Sequence, residues 1–251
     1  MRLSAIGTFS FKPAAGVHEI HILPLSLTMV VSMPLSMPRI CLIERTGISS
    51  MRSSYCITCI FSPAQKAEPG FATLTLVQFD TQDAYEVIQD FKNIQEVPEL
   101  TRETFVPRAG TPLYDAMGKA INDLEHKLAG MPEAARPQRV IVAFVTDGQE
   151  NSSREFSRSM VQKMIKEKQE KSDWQFVFLS ADLDAMEEAL STGVAAASSL
   201  LFDKTAHGIA SAWQALSCST RLFRADQVSD VSFTDEDRAS QQIEKKKKNR
   251  H

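Results

Sequence analysis

Cysteine is scarce. Four stand in 251 residues, at 41, 56, 59 and 218, and only Cys56 and Cys59 form a Cys-x-x-Cys pair. A structural zinc site draws on a second such pair, so neither a zinc module nor a disulfide framework is expected. His18 and His21 could offer nitrogen ligands, but they lie in a stretch with no readable period. The chain also lacks a Gly-x-x-x-x-Gly-Lys-Ser/Thr loop and any Gly-x-Gly-x-x-Gly run, which removes the common phosphate-cradling nucleotide sites. No nucleophile with an adjacent base stands out. The apolar stretch from Ile20 to Ile43 is broken by Pro24, Pro34 and Pro38, each removing a backbone donor that lipid cannot replace. It therefore makes a poor membrane span. It also begins too far from Met1, without a small-residue cleavage site, to read as a signal peptide. A cytoplasmic protein is the resulting expectation.

Charge of one sign is concentrated at one end. The net charge is -3, yet Lys245–Lys248 and Arg250 form a basic run, so the body is more acidic than that figure suggests. A short terminal run of this kind reads as solvated tail, and no nucleic-acid or membrane partner is assigned to it.

What is present is a chain that is 43% apolar and long enough to bury one substantial core with flanking extensions. From Phe71 onward the pattern is regular. Ala72–Asp80 alternates and then runs apolar, as a buried strand does, and Tyr85–Ile88 is a shorter strand candidate. Leu113, Met117, Ile121, Leu124 and Leu128 recur at helical spacing after Pro112, and Gly130 and Pro132 end that helix. Arg139–Asp147 carries six consecutive apolar residues, fitting a central parallel strand covered on both faces. A helix with Phe156, Met160, Val161 and Met164 on one face is predicted next, then a strand over Trp174–Leu179. A short helix from Leu183 to Leu190 follows, with Gly193 placed to cap it. Ala195–Phe202 reads as an edge strand and Ile209, Trp213, Leu216 and Phe223 mark a last helix.

This alternation predicts an α/β fold with a doubly wound, mostly parallel sheet and helices on both faces, with ligands beyond the carboxyl ends of the strands. The division expected is 1–37 irregular, 38–224 the domain, and 225–251 a charged tail, disordered or carrying a helix started by Thr234 and Asp235. Within residues 1–66 only Arg39–Glu44, and more weakly Cys56–Phe61, resemble strands, and Arg39–Glu44 is assigned to the middle of the sheet. The mixture of proline, serine and apolar residues there would also follow from a wrong reading frame or start, which resequencing would decide.

Gly110-Thr-Pro-Leu-Tyr-Asp-Ala116 and Phe144-Val-Thr-Asp-Gly-Gln-Glu-Asn151 resemble the second and third loops of bacterial von Willebrand factor A-type domains. The resemblance covers roughly residues 67–224. It implies a metal-ion-dependent adhesion site, built in that family from Asp-x-Ser-x-Ser after the first strand, a Thr in the second loop and an Asp in the third. Thr111 and Asp147 match the last two positions. Glu44, Thr46 and Ile48 fall at the first-loop positions, so the first strand region is degraded; Thr46 is an acceptable ligand, Glu44 is a methylene too long, and Ser49 substitutes for Ile48 only with a shift of one residue.

The implied cofactor is Mg²⁺ or Mn²⁺, which takes about six oxygens. The implied function is a non-enzymatic protein-binding module, the metal leaving one position open for a carboxylate from a partner protein. Two bland readings stay open, Thr111 as a helix N-cap and Asp147 as a turn residue. Two competing functions do as well: a metal-free scaffold or inactive remnant, and a Mg²⁺-dependent phosphotransferase using Asp147 and Asp80. Asn151-Ser152-Ser153 matches a glycosylation acceptor by chance.

Overall fold

The computed structural model describes residues 25–32, 61–100, 110–146 and 148–248. Along the chain run β1 (Leu25–Ser32), α1 (Ser62–Ala67), β2 (Ala72–Gln78), β3 (Glu86–Asn93), α2 (Leu113–Ala129), β4 (Arg139–Thr146), α3 (Arg158–Ser172), β5 (Gln175–Ser180), α4 (Leu183–Ser191), β6 (Ser199–Leu201), α5 (Ala206–Arg224) and α6 (Asp235–Lys248). The strands form one sheet in the order β3-β2-β1-β4-β5-β6, with only β3 antiparallel to its neighbour. This is the doubly wound α/β fold expected from the sequence. The strand order reverses between β1 and β4, where such sheets open a crevice beyond the carboxyl ends.

The apolar runs follow from double coverage. β2 is buried at every position, β4 at all but its first, and β5 likewise. Along β4, Ile141, Ala143 and Val145 enter one core while Val140, Val142 and Phe144 enter the other. The first core is completed by Ile209, Trp213, Leu216 and Phe223 of α5, with Phe61 edge-on to Trp213 at 6.2 Å between ring centres. The second is completed by Leu113, Met117, Ile121 and Leu124 of α2 and by Val161 and Ile165 of α3. Met160, read from the sequence as part of that inner face, is 47% exposed. The cause is that α3 starts only at Arg158, behind the N-cap Ser157, so its inner face falls on Val161 and Ile165.

The middle of the sheet differs from expectation. The place between β2 and β4 is held by Leu25–Ser32, paired from Leu25 with Ala72 and Arg139 up to Ser32 with Thr146. That strand lies within 1–37, the stretch read as irregular, and Arg39–Glu44, expected at this place, lies outside the described residues. Pro24 hid it: a proline ahead of an alternating Leu-Ser-Leu-Thr run starts a strand without interrupting it.

Beyond Arg224, where the sequence reads as a charged tail, α6 does begin at Asp235. Thr234 and Asp237 cap one another reciprocally, each side chain accepting the other's backbone N–H. The segment ahead of it belongs to the core, with Val231 fully buried and Phe233 6% exposed. Among the described residues no helix is long and apolar enough to cross a membrane.

Candidate functional site

At the reversal of strand order, the carboxyl end of β4 meets the turn that enters α2. Gly110 has φ +91°, and a β-carbon there would stand 2.1 Å from Thr81 Cγ2, so only glycine lets the chain turn at this point. The next residue, Thr111, is 6% exposed. Its N–H donates to Asn151 Oδ1 at 3.0 Å and its carbonyl accepts the Asn151 N–H at 3.2 Å. A β-carbon at Gly148 would lie 2.5 Å from Thr111 Oγ1, which places the loop after β4 directly against the threonine hydroxyl.

Thr111 is not the helix cap. Pro112 occupies that position and offers no side-chain bond, so the first turn of α2 takes its acceptors from the neighbouring loop instead. Tyr114 N–H donates to Glu150 Oε2 at 3.0 Å and Asp115 N–H to Ser153 Oγ at 3.1 Å. Glu150 also receives the N–H groups of Ser152 and Ser153 through Oε1 and the Ser153 hydroxyl through Oε2. A carboxylate at a helix N-terminus is favoured by the helix dipole as well as by these bonds.

Asp115 answers in the opposite direction. Its carboxylate, 4% exposed, accepts the backbone N–H groups of Arg154, Glu155 and Phe156 at 2.8–2.9 Å. Burial alone would raise its pKa; the three N–H donors and the Lys119 ammonium outweigh that and hold it below the usual value. Phe156 then lies over Gly118, where a β-carbon would meet its ring at 2.3 Å. Gly118→Ala is accordingly expected to cost about 1–3 kcal/mol in chemical denaturation, because the ring must leave its seat. An unchanged midpoint would show that the ring is free to move.

These loop-fixing residues, Asp115, Glu150, Asn151 and Ser153, were not read as functional from sequence. An acid in the first turn of a helix following Gly-Thr-Pro was the available signal. Asn151 and Ser153, part of the apparent glycosylation acceptor, serve as internal bonding groups.

Of the predicted ligands, only Thr111 is described; Asp147, Glu44, Thr46 and Ser49 lie outside the described residues. In sequence Asp147 stands between Thr146 and Gly148. The first-loop candidates are less well supported by topology. The central strand ends at Ser32, and the residues that follow it in sequence are Met33-Pro-Leu-Ser-Met37, which carry one hydroxyl and no carboxylate. Glu44, Thr46 and Ser49 come well downstream. Among the described residues no group of three His, Cys, Asp or Glu side chains could hold a metal. Of the predicted ligands the described residues supply only Thr111, short of the roughly six oxygens a hard cation wants. Asp80 is committed to its own turn, its Oδ1 accepting the N–H groups of Gln82 and Asp83 at 2.7 and 3.2 Å.

The fold is an α/β sheet with its candidate site at the switch point. No family model and no curated protein matches the chain. Solved structures of similar shape include the minor pilin PilB from Streptococcus sanguinis, 12% identical with a TM-score of 0.52 over 86% of this chain and 63% of the pilin. A point mutant of that pilin gives 0.54 over 86% and 64%. Proximal thread matrix protein 1 from the mussel byssus is 10% identical with a TM-score of 0.52 over 78% of this chain and 47% of that one. This chain therefore spans less than two thirds of the pilin and about half of the mussel protein. At such identity the likeness shows the fold alone.

Proposed function

We propose that this chain is a non-enzymatic protein-binding module of von Willebrand factor A type, docking its partner at the carboxyl edge of the sheet between β1 and β4. One observation carries the reading: the Thr111 turn and the loop after β4 converge at the switch point, Asn151 bonding both ways to the Thr111 backbone and a β-carbon at Gly148 falling 2.5 Å from the Thr111 hydroxyl. The two loops are also the two whose sequences resemble that family. Structural neighbours named as a minor pilin and a thread matrix protein are in keeping with a role that breaks no bond.

Thr111 and Asp147 are the residues proposed to hold a divalent ion, Mg²⁺ or Mn²⁺. When bound, that ion would offer a Lewis-acidic position for a carboxylate of the partner protein. The chain's own groups hold the platform still: Asn151 fixes the Thr111 backbone, Glu150 the start of α2, and Asp115 the far side of the loop. Preorganisation of this kind keeps the ordering cost low when a partner arrives.

A second reading has its own support. The Met33–Met37 sequence after the central strand carries one hydroxyl, Ser36, and no carboxylate, fewer oxygens than the first loop should provide, which favours a metal-free scaffold using the same face. Titration of Mg²⁺ and Mn²⁺ by calorimetry separates the two. Millimolar or tighter binding, abolished in Asp147→Ala and weakened in Thr111→Ala, is the result expected of the metal module. Flat heats for the wild-type chain would leave the scaffold.

A further inference from the structure

β6 is the outer strand of the sheet among the described residues, paired on one side with β5 only. An open edge of this kind is a template for further pairing. Here it is covered by the chain's own segment from Val231 to Gln241. Phe233 N–H donates to Ala197 O at 2.9 Å, in the short turn Ala196–Ser198 that leads into β6. The Arg238 guanidinium then takes the carbonyls of Ser199 at 2.7 Å, Ala196 at 2.9 Å and Ala197 at 3.1 Å. Gln241 finishes the contact, accepting from Asp203 N–H at 3.2 Å and donating to Gly208 O at 3.3 Å.

The clasp also holds to the helix before it, Ser219 Oγ donating to Ser232 O at 2.8 Å and accepting the Ser232 N–H at 3.0 Å, but the end of that helix does not depend on it. α5 closes on its own terms: Asp226, at φ +55°, donates its N–H to Phe223 O, and Gln227 donates to Leu222 O, a left-handed cap that needs nothing from the clasp. Arg139 pins the start of the connection through Asp226 and Val228 O. Between that pin and Val231 lie only Ser229 and Asp230, both exposed. A hinge so short, joining a finished helix to an edge-covering segment with its own buried anchors, is the layout in which identical copies exchange elements at little cost.

We propose that the outer edge of β6 is a self-recognition surface, closed in cis by Val231–Gln241 and closed in trans when two copies of this chain exchange that segment. The occupant is fixed by fit. The edge needs an extended piece with apolar side chains at two alternate positions, followed by a guanidinium reaching three carbonyls, and Val231-Ser-Phe233 with Arg238 is the piece seen to do it.

The full chain, a variant lacking Ser229 and Asp230, and that variant with Arg238→Ala decide the matter by light scattering over a concentration series. The expected result is a mainly monomeric wild type with a minor dimer at high concentration, a shortened-hinge chain that is predominantly dimeric, and loss of that dimer on adding Arg238→Ala. A shortened-hinge chain that stays monomeric, or a dimer that survives Arg238→Ala, overturns the proposal. Should the shortened chain fail to fold, the wild type suffices: a dimer at high concentration that about four Gly-Ser residues inserted after Ser229 return to monomer supports the exchange, and a dimer that survives the insertion, or a monomer at every concentration, refutes it.

Discussion

Asp115→Ala is expected to lower the unfolding free energy by about 3–5 kcal/mol, among the largest effects of any single change at the carboxyl edge. The side chain is an ionised acceptor, 4% exposed, with three backbone N–H groups at 2.8–2.9 Å. Bonds to a charged group are each worth about 1.5–3 kcal/mol, and the full sum is not lost because the exposed Arg154 and Glu155 backbone rehydrates. The loss should fall on the loop first. Hydrogen exchange at residues 154–156 is expected to accelerate before the rest of α3 does, and divalent-ion or partner binding should weaken although Asp115 touches neither. Asp115→Asn, which keeps an acceptor and drops the charge, should lie about midway. A denaturation midpoint for Asp115→Ala within error of wild type would show that the loop holds its shape by packing alone.

The same carboxylate has a pH signature. Its folded pKa lies below the ordinary value of 3.8, since the N–H donors and Lys119 favour the charged form more than burial opposes it. A depressed carboxylate stabilises the fold at any pH above the unfolded value, and that contribution fades as pH falls through the folded one. Wild type should therefore lose stability between about pH 4 and the folded pKa in part through this group. In Asp115→Ala the corresponding portion of the acid limb should be flatter, a difference read from unfolding midpoints collected across that window. Parallel acid limbs would reassign the shift to other groups.

From β2 onward the fold was legible because burial on both faces writes itself into the chain as unbroken apolar runs, Val140–Val145 above all. The α2 stripe was equally plain, four of its five predicted positions being buried. The central strand was missed for a physical reason. Leu25–Ser32 carries serine and threonine at alternate positions, a pattern that suits a one-faced strand, and Thr28 is buried without a partner for its hydroxyl. Arg39–Glu44 carries the stronger apolar signal in the sequence. At the site, Thr111 stood out through Gly110 and Pro112, whose backbone demands are local. The bonding of Asp115, Glu150 and Ser153 spans about forty positions, and no local spacing encodes a contact of that range. The C-terminal segment reads as a charged tail with a helix, and the helix is there; what its composition hides is that Val231 and Phe233, two positions apart, are buried in the core.

Arg224→Ala should be as costly as Asp115→Ala, again about 3–5 kcal/mol, and for a different cause. Arg224 is 1% exposed and makes no ion pair among the described residues. Its guanidinium instead ties the strand-entry segment to α5, donating through Nη1 to Gln65 O at 2.8 Å and Gln65 Oε1 at 3.1 Å, and through Nη2 to Pro69 O at 3.3 Å and Gly70 O at 3.4 Å. Gln65 in turn donates to the Ser217 carbonyl and hydroxyl, closing a polar lock between α1 and α5 beneath Phe61 and Trp213. Burial pulls the arginine's pKa down and Glu68 opposes it, so the group is held charged at a desolvation cost that the carbonyls offset. Removing the side chain leaves both a cavity and stranded acceptors. Arg224→Met, which fills much of the volume, isolates the second term and should recover about half of the loss. If methionine restored full stability, the lock would be a matter of volume and the buried charge would have no stabilising part; if it restored nothing, the four carbonyl bonds would carry the joint between α1 and α5 by themselves.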